Sequence, residues 1–411
     1  MSMLCRVSIL LLLVVSCAGV VGYGQTDPLF TLPNNLGSIN LYPVDDYSDS
    51  DDSIVQVSMS ASDGRYSVAS RSFSWYDASR RRTVPARVYY PSAKGRRFPI
   101  IVFSHGLGGS PSRCSYLGTT WAANGFVVVM LQHPGSDENV WQGRLRVMNE
   151  LREAYKTSWS GRGRALDIRF ALNVLESLEQ SGDWLGSLLN FESVGVGGYD
   201  LGALGSLLVA GQLPPDGGSS LADSRVKAVL AMSPPINPPQ GSYRNVYAAV
   251  DAPTFFITGT DDDGVIGSTK ASQRRIPFDS MSGNDRFLVV FHGADHQIYG
   301  GRILSVRARN DQSFQQAICR ASTLFWQAYL KKDESAKTNI SGYRLNALLG
   351  VAATVERRID SLSGKSRTTS EPEHPMETTP SEPGETTKAP LLTESFPLSR
   401  LYRAMLANLE K

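Results

Sequence analysis

Residues 194–211 read VGVGGYDLGALGSLLVAG: a short apolar strand broken by glycine, one acid, then the opening of a small-residue helix. Gly198 and Gly202 bracket Asp200 in a G-x-D-x-G spacing, which lets a strand and the helix after it pass close together while the residue at the bend is pushed outward. This is the form of a nucleophile elbow, with aspartate where serine is the ordinary occupant. A helix starting just after Asp200 aims its unpaired N–H groups at the apex and favours an ionised carboxylate there. Taken alone, the same residue has a plainer account as a helix-capping aspartate.

The surroundings give the elbow a context. The runs PIIVFS, FVVVMLQ, ESVGVGG, VKAVLAMSP, APTFFITG and RFLVVFHG are short, apolar on both faces, and rich in β-branched and aromatic residues. Helical patterns alternate with them: one at about 112–124, one near 162–179 with Ile168, Leu172, Leu175 and Leu178 on a single face, and a last one carrying Ile318, Ala321, Phe325 and Tyr329. Strands alternating with helices in this way predict an α/β fold with a mostly parallel central sheet covered on both faces.

In such a sheet, chemistry collects at the carboxyl ends of the strands. His105, His133, His292 and His296 all fall at such ends. PIIVFS runs into HGLGGS at 105–110, whose glycines let backbone N–H groups turn inward, so the amides of Leu107 and Leu201 are candidate oxyanion donors. APTFFITG runs into TDDDG, where Asp262 stands in the place of an acid that orients a histidine, with Asp261 and Asp263 as alternatives. RFLVVF runs into HGADHQIYGG, where His296 is the candidate base and His292 the alternative. The order apex, acid, histidine along the chain is the order in which this kind of fold arranges its triad. His105 and His133 are expected to hold loops, and Arg164 and Asp167 to be helix-surface or loop-anchoring ions.

With these residues together, about residues 70–335 resemble the α/β-hydrolase family, and within it secreted esterases similar to platelet-activating-factor acetylhydrolases and dienelactone hydrolases. The likeness rests on WYDASRRRTVPARVYYP, PIIVFSHGLGG, GFVVVMLQHPGSDENVWQG, RGRALDIRFALNVL, GVGGYDLGALGSLLVAG, AVLAMSPP, FFITGTDDDGVIG and GADHQIYGG. It implies an α/β-hydrolase fold, Asp262 as triad acid, His296 as base, Leu107 and Leu201 as oxyanion donors, and a small or lipid-like ester as substrate. Relatives read G-H-S-x-G at the elbow; here Tyr199 and Asp200 replace the histidine and serine.

A carboxylate attacking an ester would form an anhydride while expelling a more basic alkoxide, an uphill route. Attack at a carbon bearing halide, or on an epoxide, leaves an alkyl ester that activated water can cleave. The chain is therefore expected to be a hydrolase of esterase descent with a non-standard aspartate at the elbow beside a His–Asp pair. The alternatives are an inactive exported homologue serving as a binding or surface protein, and an aspartate-nucleophile haloalkane dehalogenase or epoxide hydrolase. Against these last two enzymes stand Leu201, where a dehalogenase carries tryptophan, and HGLGG, which lacks an epoxide hydrolase's proline. Tyr199, Trp141 and Trp159 are candidate donors to a leaving group.

The remainder of the chain frames this domain, expected over 66–357. An apolar run from Val7 to Val15 after a single arginine reads as a secretory signal over 1–24, and VVSC, ending at Cys17, resembles a lipoprotein box that would leave a lipid anchor. Either way export is the expectation. A polar linker occupies 25–65; its acidic run at 45–52 lacks the glycine and final glutamate of a calcium loop. A Pro/Thr/Glu-rich tail over 358–395 has little to bury and is expected to be disordered, and a short helix closes the chain at 396–411.

With 41% hydrophobic residues, 19% charged residues and a net charge of +2 over 411 residues, the chain has no strongly basic or acidic balance to draw a polyionic partner. SRRRT at 79–83 and KGRR at 94–97 read as solvated turns, with no nucleic-acid contact. No metal or cofactor site is expected, and no later segment is apolar for long enough to span a bilayer. Cys114 and Cys319 form either a disulfide or two separate buried thiols.

Overall fold

Ten strands make one sheet: β1 (Asn40–Tyr42), β2 (Val68–Asp77), β3 (Arg82–Pro91), β4 (Phe98–Ser104), β5 (Val127–Leu131), β6 (Leu189–Tyr199), β7 (Val226–Met232), β8 (Thr254–Asp261), β9 (Arg286–Asp295) and β10 (Ala353–Arg358). The computed structural model describes residues 40–42, 66–93, 95–239, 241–300 and 311–360. The chain divides into two compact units, 1–365 and 366–411, and every described residue belongs to the first. The leader at 1–24, the tail beyond residue 360 and the closing helix at 396–411 lie outside the described residues, as does most of the linker at 25–65.

The strand order is β1-β2-β3-β5-β4-β6-β7-β8-β9-β10, with β5 through β9 parallel and both flanks antiparallel. This is the α/β-hydrolase fold, a largely parallel sheet between helical layers. The inner strands are buried on both faces: β4, β5 and β7 hold almost nothing but Val, Ile, Leu, Phe, Met and Ala, because helices cover each side.

The helices are α1 (Ser115–Ala123), α2 (Val147–Ser158), α3 (Arg162–Ser181), α4 (Leu201–Val209), α5 (Tyr243–Tyr247), α6 (Ile276–Ser280), α7 (Asp311–Leu330), α8 (Glu334–Ser341) and α9 (Arg344–Leu349). Alternation along β4 shows the two layers. Ile100 and Val102 join the apolar cluster built on α3 and α4, whereas Ile101 and Phe103 join the one built on α1 and α7. Glycine in β6 makes room on the second side: a Cβ at Gly195 would lie 2.7 Å from the Trp326 ring of α7.

Three expectations need correction. The apolar face near the end of the chain does belong to α7, but α7 does not close the domain: α8, α9 and the edge strand β10 follow, β10 pairing with β9 from Ala353↔Phe291 to Arg358↔Arg286. Its Glu356-Arg357-Arg358 ending hid the strand, since charge on an edge strand looks like loop. Within the linker, the backbone of Asn40–Tyr42 pairs with β2. Between FVVVMLQ and the helix near 162–179, where the sequence pattern shows no element, lies α2, which buries Leu151 and Ala154.

Candidate active site

The bend at 200 is a tight turn and not a helix cap. Asp200 adopts φ 54° and ψ −122°, a conformation that L-residues hold only when their surroundings impose it, and its side chain accepts no bond from the helix it precedes. The two flanking glycines are why the turn exists. A Cβ at Gly198 would lie 2.2 Å from the Gly202 carbonyl carbon, and one at Gly202 would lie 1.9 Å from the Ser104 carbonyl oxygen. Pushed out of the turn, the Asp200 carboxylate accepts the Leu107 backbone N–H through Oδ2 at 3.0 Å, and its Oδ1 stands 3.9 Å from His296 Nε2.

His296 opens a one-turn helix just past β9, and Asp262 lies just past β8. His296 Nδ1 is 2.8 Å from Asp262 Oδ1. The Ser233 hydroxyl, one residue past the end of β7, donates to the same carboxylate oxygen at 2.8 Å and lies 2.8 Å from His296 Nδ1. Asp262 also accepts from Thr258 Oγ1 at 2.8 Å, and its main-chain carbonyl accepts Arg274 Nε at 2.7 Å. Ser233, Asp262 and Thr258 are buried, as is the Arg274 guanidinium, which lies 3.0 Å from Asp262 Oδ1 and 3.1 Å from His296 Nδ1. An acceptor-only carboxylate at 2.8 Å requires the imidazole proton on Nδ1, so Nε2 carries the lone pair that faces the cavity.

This overturns the expectation of a site defined by an aspartate substituted for the missing serine, and with it the aspartate-nucleophile dehalogenase and epoxide-hydrolase readings. The site holds a Ser–His–Asp arrangement, and its serine is Ser233, on the strand next to the elbow's own. Sequence reasoning missed it because it sought the serine only at the apex. Strand order carried the signal: Tyr199 pairs with Met232 and Met232 with Ile257, so the residue after Met232 must stand between the ends of β6 and β8. Ser233 is itself held at φ 50°, a second non-glycine residue in the left-handed region at this site.

Of the alternatives, Asp261 and Asp263 are exposed, Asp263 beside Lys270 and Asp261 accepting from Thr260, and exposed His292 meets Thr354 on β10. The Tyr199 hydroxyl donates to the His296 carbonyl at 2.7 Å and the Trp141 indole to the Gly108 carbonyl at 2.8 Å, so both donors are committed to backbone. Trp159 follows α2 and is half exposed. Leu201 is the first residue of α4, its amide in the first turn beside the elbow.

Arg164 and Asp167 are not on a helix surface; both are buried on the inner face of α3. Asp167 accepts Arg82 Nε at 2.9 Å, Arg80 at 2.7 Å and His133 Nδ1 at 2.8 Å, so part of the SRRRT turn is spent on a buried carboxylate instead of being solvated. Burial pushes the Asp167 carboxyl upward, but the bonds from His133 and Arg82 outweigh it and hold it well below the usual carboxylate range. Burial, helped by the Arg164 charge, lowers His133 to about 4, and burial holds His105 well below its ordinary value; both imidazoles are neutral at pH 7. His133 Nε2 then accepts the Ser104 hydroxyl at 2.8 Å. Cys114 and Cys319 are free, buried thiols, and burial raises Cys114 to about 12.

A cavity partly open to solvent joins Asp200 and His296 to the apolar side chains of Leu107, Leu151, Val265 and Ile266. Among the described residues no group of His, Cys, Asp and Glu is arranged to hold a metal ion, and no helix is long and apolar enough to cross a membrane.

The fold is the one α/β-hydrolases share, and within it Ser233, His296 and Asp262 form a buried hydrogen-bonded network. Residues 78–142 match the sequence model of the family described as platelet-activating factor acetylhydrolase, isoform II. The platelet-activating factor acetylhydrolase of Cavia porcellus is 42% identical over 50 residues, and that of Canis lupus familiaris 41% over 51. Each alignment covers 12% of this chain and 12% of the relative. The family match takes in Leu107 and His133 but stops before Asp200, Ser233, Asp262 and His296.

Proposed function

We propose that the chain hydrolyses carboxylic esters, small or lipid-like, with Ser233, His296 and Asp262 acting as one unit. The observation that carries this is the orientation of the imidazole. Asp262 and Ser233 both meet Nδ1, at 2.8 Å each, and Nε2 is left facing the cavity. In this reading Nε2 takes a proton from a water that adds to the ester carbonyl from the cavity and returns it to the departing alkoxide, giving acid and alcohol, while Asp262 and Ser233 keep the ring in one tautomer. The amides of Leu107 and Leu201 receive the negative charge that develops on the ester oxygen. Asp200 holds the Leu107 donor in the resting site and gives way to substrate. The match of residues 78–142 to an acetylhydrolase family and the apolar lining from Leu151, Val265 and Ile266 favour an ester with an apolar chain. The leader, with its run from Val7 to Val15, favours export, either free or lipid-anchored at Cys17.

The test is turnover of activated acyl esters of increasing chain length by the full chain and by Ser233→Ala and His296→Ala. The expected loss is on the order of 10³-fold for His296→Ala, with a substantial loss for Ser233→Ala. A phosphonate probe mapped by mass spectrometry reports whether the Ser233 oxygen itself attacks and becomes phosphonylated. A parent without ester turnover, or turnover that both variants retain, overturns the proposal.

A further inference from the structure

The Leu107 amide has its direction set from beneath, by side chains bonded to backbone: Arg164, which lies outside the cavity's lining, and His105, which belongs to it. In a trans peptide the carbonyl of one residue and the N–H of the next lie in one plane and point opposite ways. The Gly106 carbonyl is therefore the handle on the Leu107 N–H, and three donors hold it: His105 Nδ1 at 2.6 Å, the Gly109 amide at 3.1 Å and Arg164 Nη2 at 3.3 Å. Arg164 is buried, and the same guanidinium also donates to the carbonyl of His105, to the Ser104 hydroxyl at 3.3 Å, and to the Ser136 carbonyl and hydroxyl at 3.2 and 3.0 Å. His105 carries its proton on Nδ1, because Nε2 accepts the His133 backbone N–H at 3.3 Å. One arginine and one neutral histidine thus gather the downward-facing oxygens of two loops, 105–110 and 133–138, which are further joined by Gly108 N–H to the Ser136 carbonyl at 2.9 Å and Glu138 N–H to the Gly109 carbonyl at 2.9 Å.

We propose that Arg164 and His105 are positioning residues: by locking the Gly106–Leu107 peptide plane they aim the Leu107 N–H at the place where an ester oxygen becomes negative. This rests on the reading of Leu107 as an oxyanion donor. Arg164 lies outside the cavity's lining and both ring nitrogens of His105 are bonded to backbone, so each should act on the chemical step and leave binding nearly alone. Arginine is required because one planar fork spans several carbonyls, and a lysine ammonium cannot.

The test compares the full chain with His105→Leu, His105→Asn and Arg164→Lys. Asparagine places an amide N–H close to where Nδ1 stood, so His105→Asn should keep parental turnover, whereas His105→Leu and Arg164→Lys should lose about 10²-fold in kcat with KM within about twofold. In protein labelled with 15N-leucine, the Leu107 amide signal, identified by its absence from Leu107→Met, should move and exchange faster in the two impaired variants and stay in place in His105→Asn. Folded His105→Leu and Arg164→Lys proteins with an unchanged Leu107 signal overturn the proposal, as does a loss confined to KM. If the parent hydrolyses no ester, the function reading fails and the amide signal alone decides whether these residues aim Leu107.

Discussion

Asp200 stands where, in the proposed function, the oxygen of a bound ester has to arrive. Its Oδ2 already occupies the Leu107 N–H at 3.0 Å, so substrate must displace a carboxylate before it can use that donor. Asp200→Ala should therefore raise kcat/KM on activated esters by about tenfold or more, because one oxyanion donor is typically worth 10²–10³ in rate. Steady-state kinetics checks this, and a fall instead of a rise would show that the carboxylate is needed for turnover. The residues around it were legible in unequal measure. Asp262 and His296 announce themselves by following apolar strands, and the structure sets His296 between the two carboxylates, Asp262 at Nδ1 and Asp200 3.9 Å from Nε2. Ser233 lies within AVLAMSPP, where nothing in a serine before two prolines distinguishes a site from a turn until strand order puts it between two other strand ends. Arg274 was invisible for a related reason: its loop position looks solvated, whereas its guanidinium is buried against Asp262.

The strand–turn–helix unit of β6, Asp200 and α4 works by close approach, and it tolerates no added atom at its hinge glycines. A methyl group on Gly202 would sit 1.9 Å from the Ser104 carbonyl oxygen, backbone that cannot swing away. Gly202→Ala should lower Tm by several degrees and reduce ester turnover together, because α4 must move off β4 and carry the elbow with it. Gly163→Ala, inside α3 with nothing within 4 Å of the new methyl, is the control: it should leave turnover unchanged and be neutral or slightly stabilising. Thermal unfolding read beside kinetics separates the two. At this scale the sequence was most readable, since G-x-D-x-G states its own geometry. The charged edge strand β10 was not, because pairing with β9 depends on residues about 65 positions away, from Ala353 back to Phe291.

Across the whole molecule, the layer of α3 and the two loops above it is held by neutral, buried imidazoles, and this links folding to acidity. His133 titrates at about 4 when folded, well under its ordinary 6.5, and His105 is displaced in the same direction. The unfolded chain therefore binds more protons between these values, so the stability they contribute is full above about pH 6.5 and is lost as pH falls through the folded values. For His133 alone the loss is on the order of 3 kcal/mol. Asp167, held low by its partners, adds a further loss only below about pH 4, in the range where carboxylates take up protons. Tm measured from pH 8 to pH 4 should fall steadily below about 6.5, and His133→Asn should flatten that slope; a Tm independent of pH in this window would refute the assignment. The alternating pattern of the core strands made the layered sheet readable from sequence, whereas the burial of Arg164 and Asp167 was not, because a charged pair on a helix looks like its wet face until the opposite partners, Arg80, Arg82 and His133, are seen. Finally, the two thiols of the described core, Cys114 and Cys319, are unbridged, so the cohesion of the described residues rests on packing, hydrogen bonds and ion pairs, without a covalent cross-link.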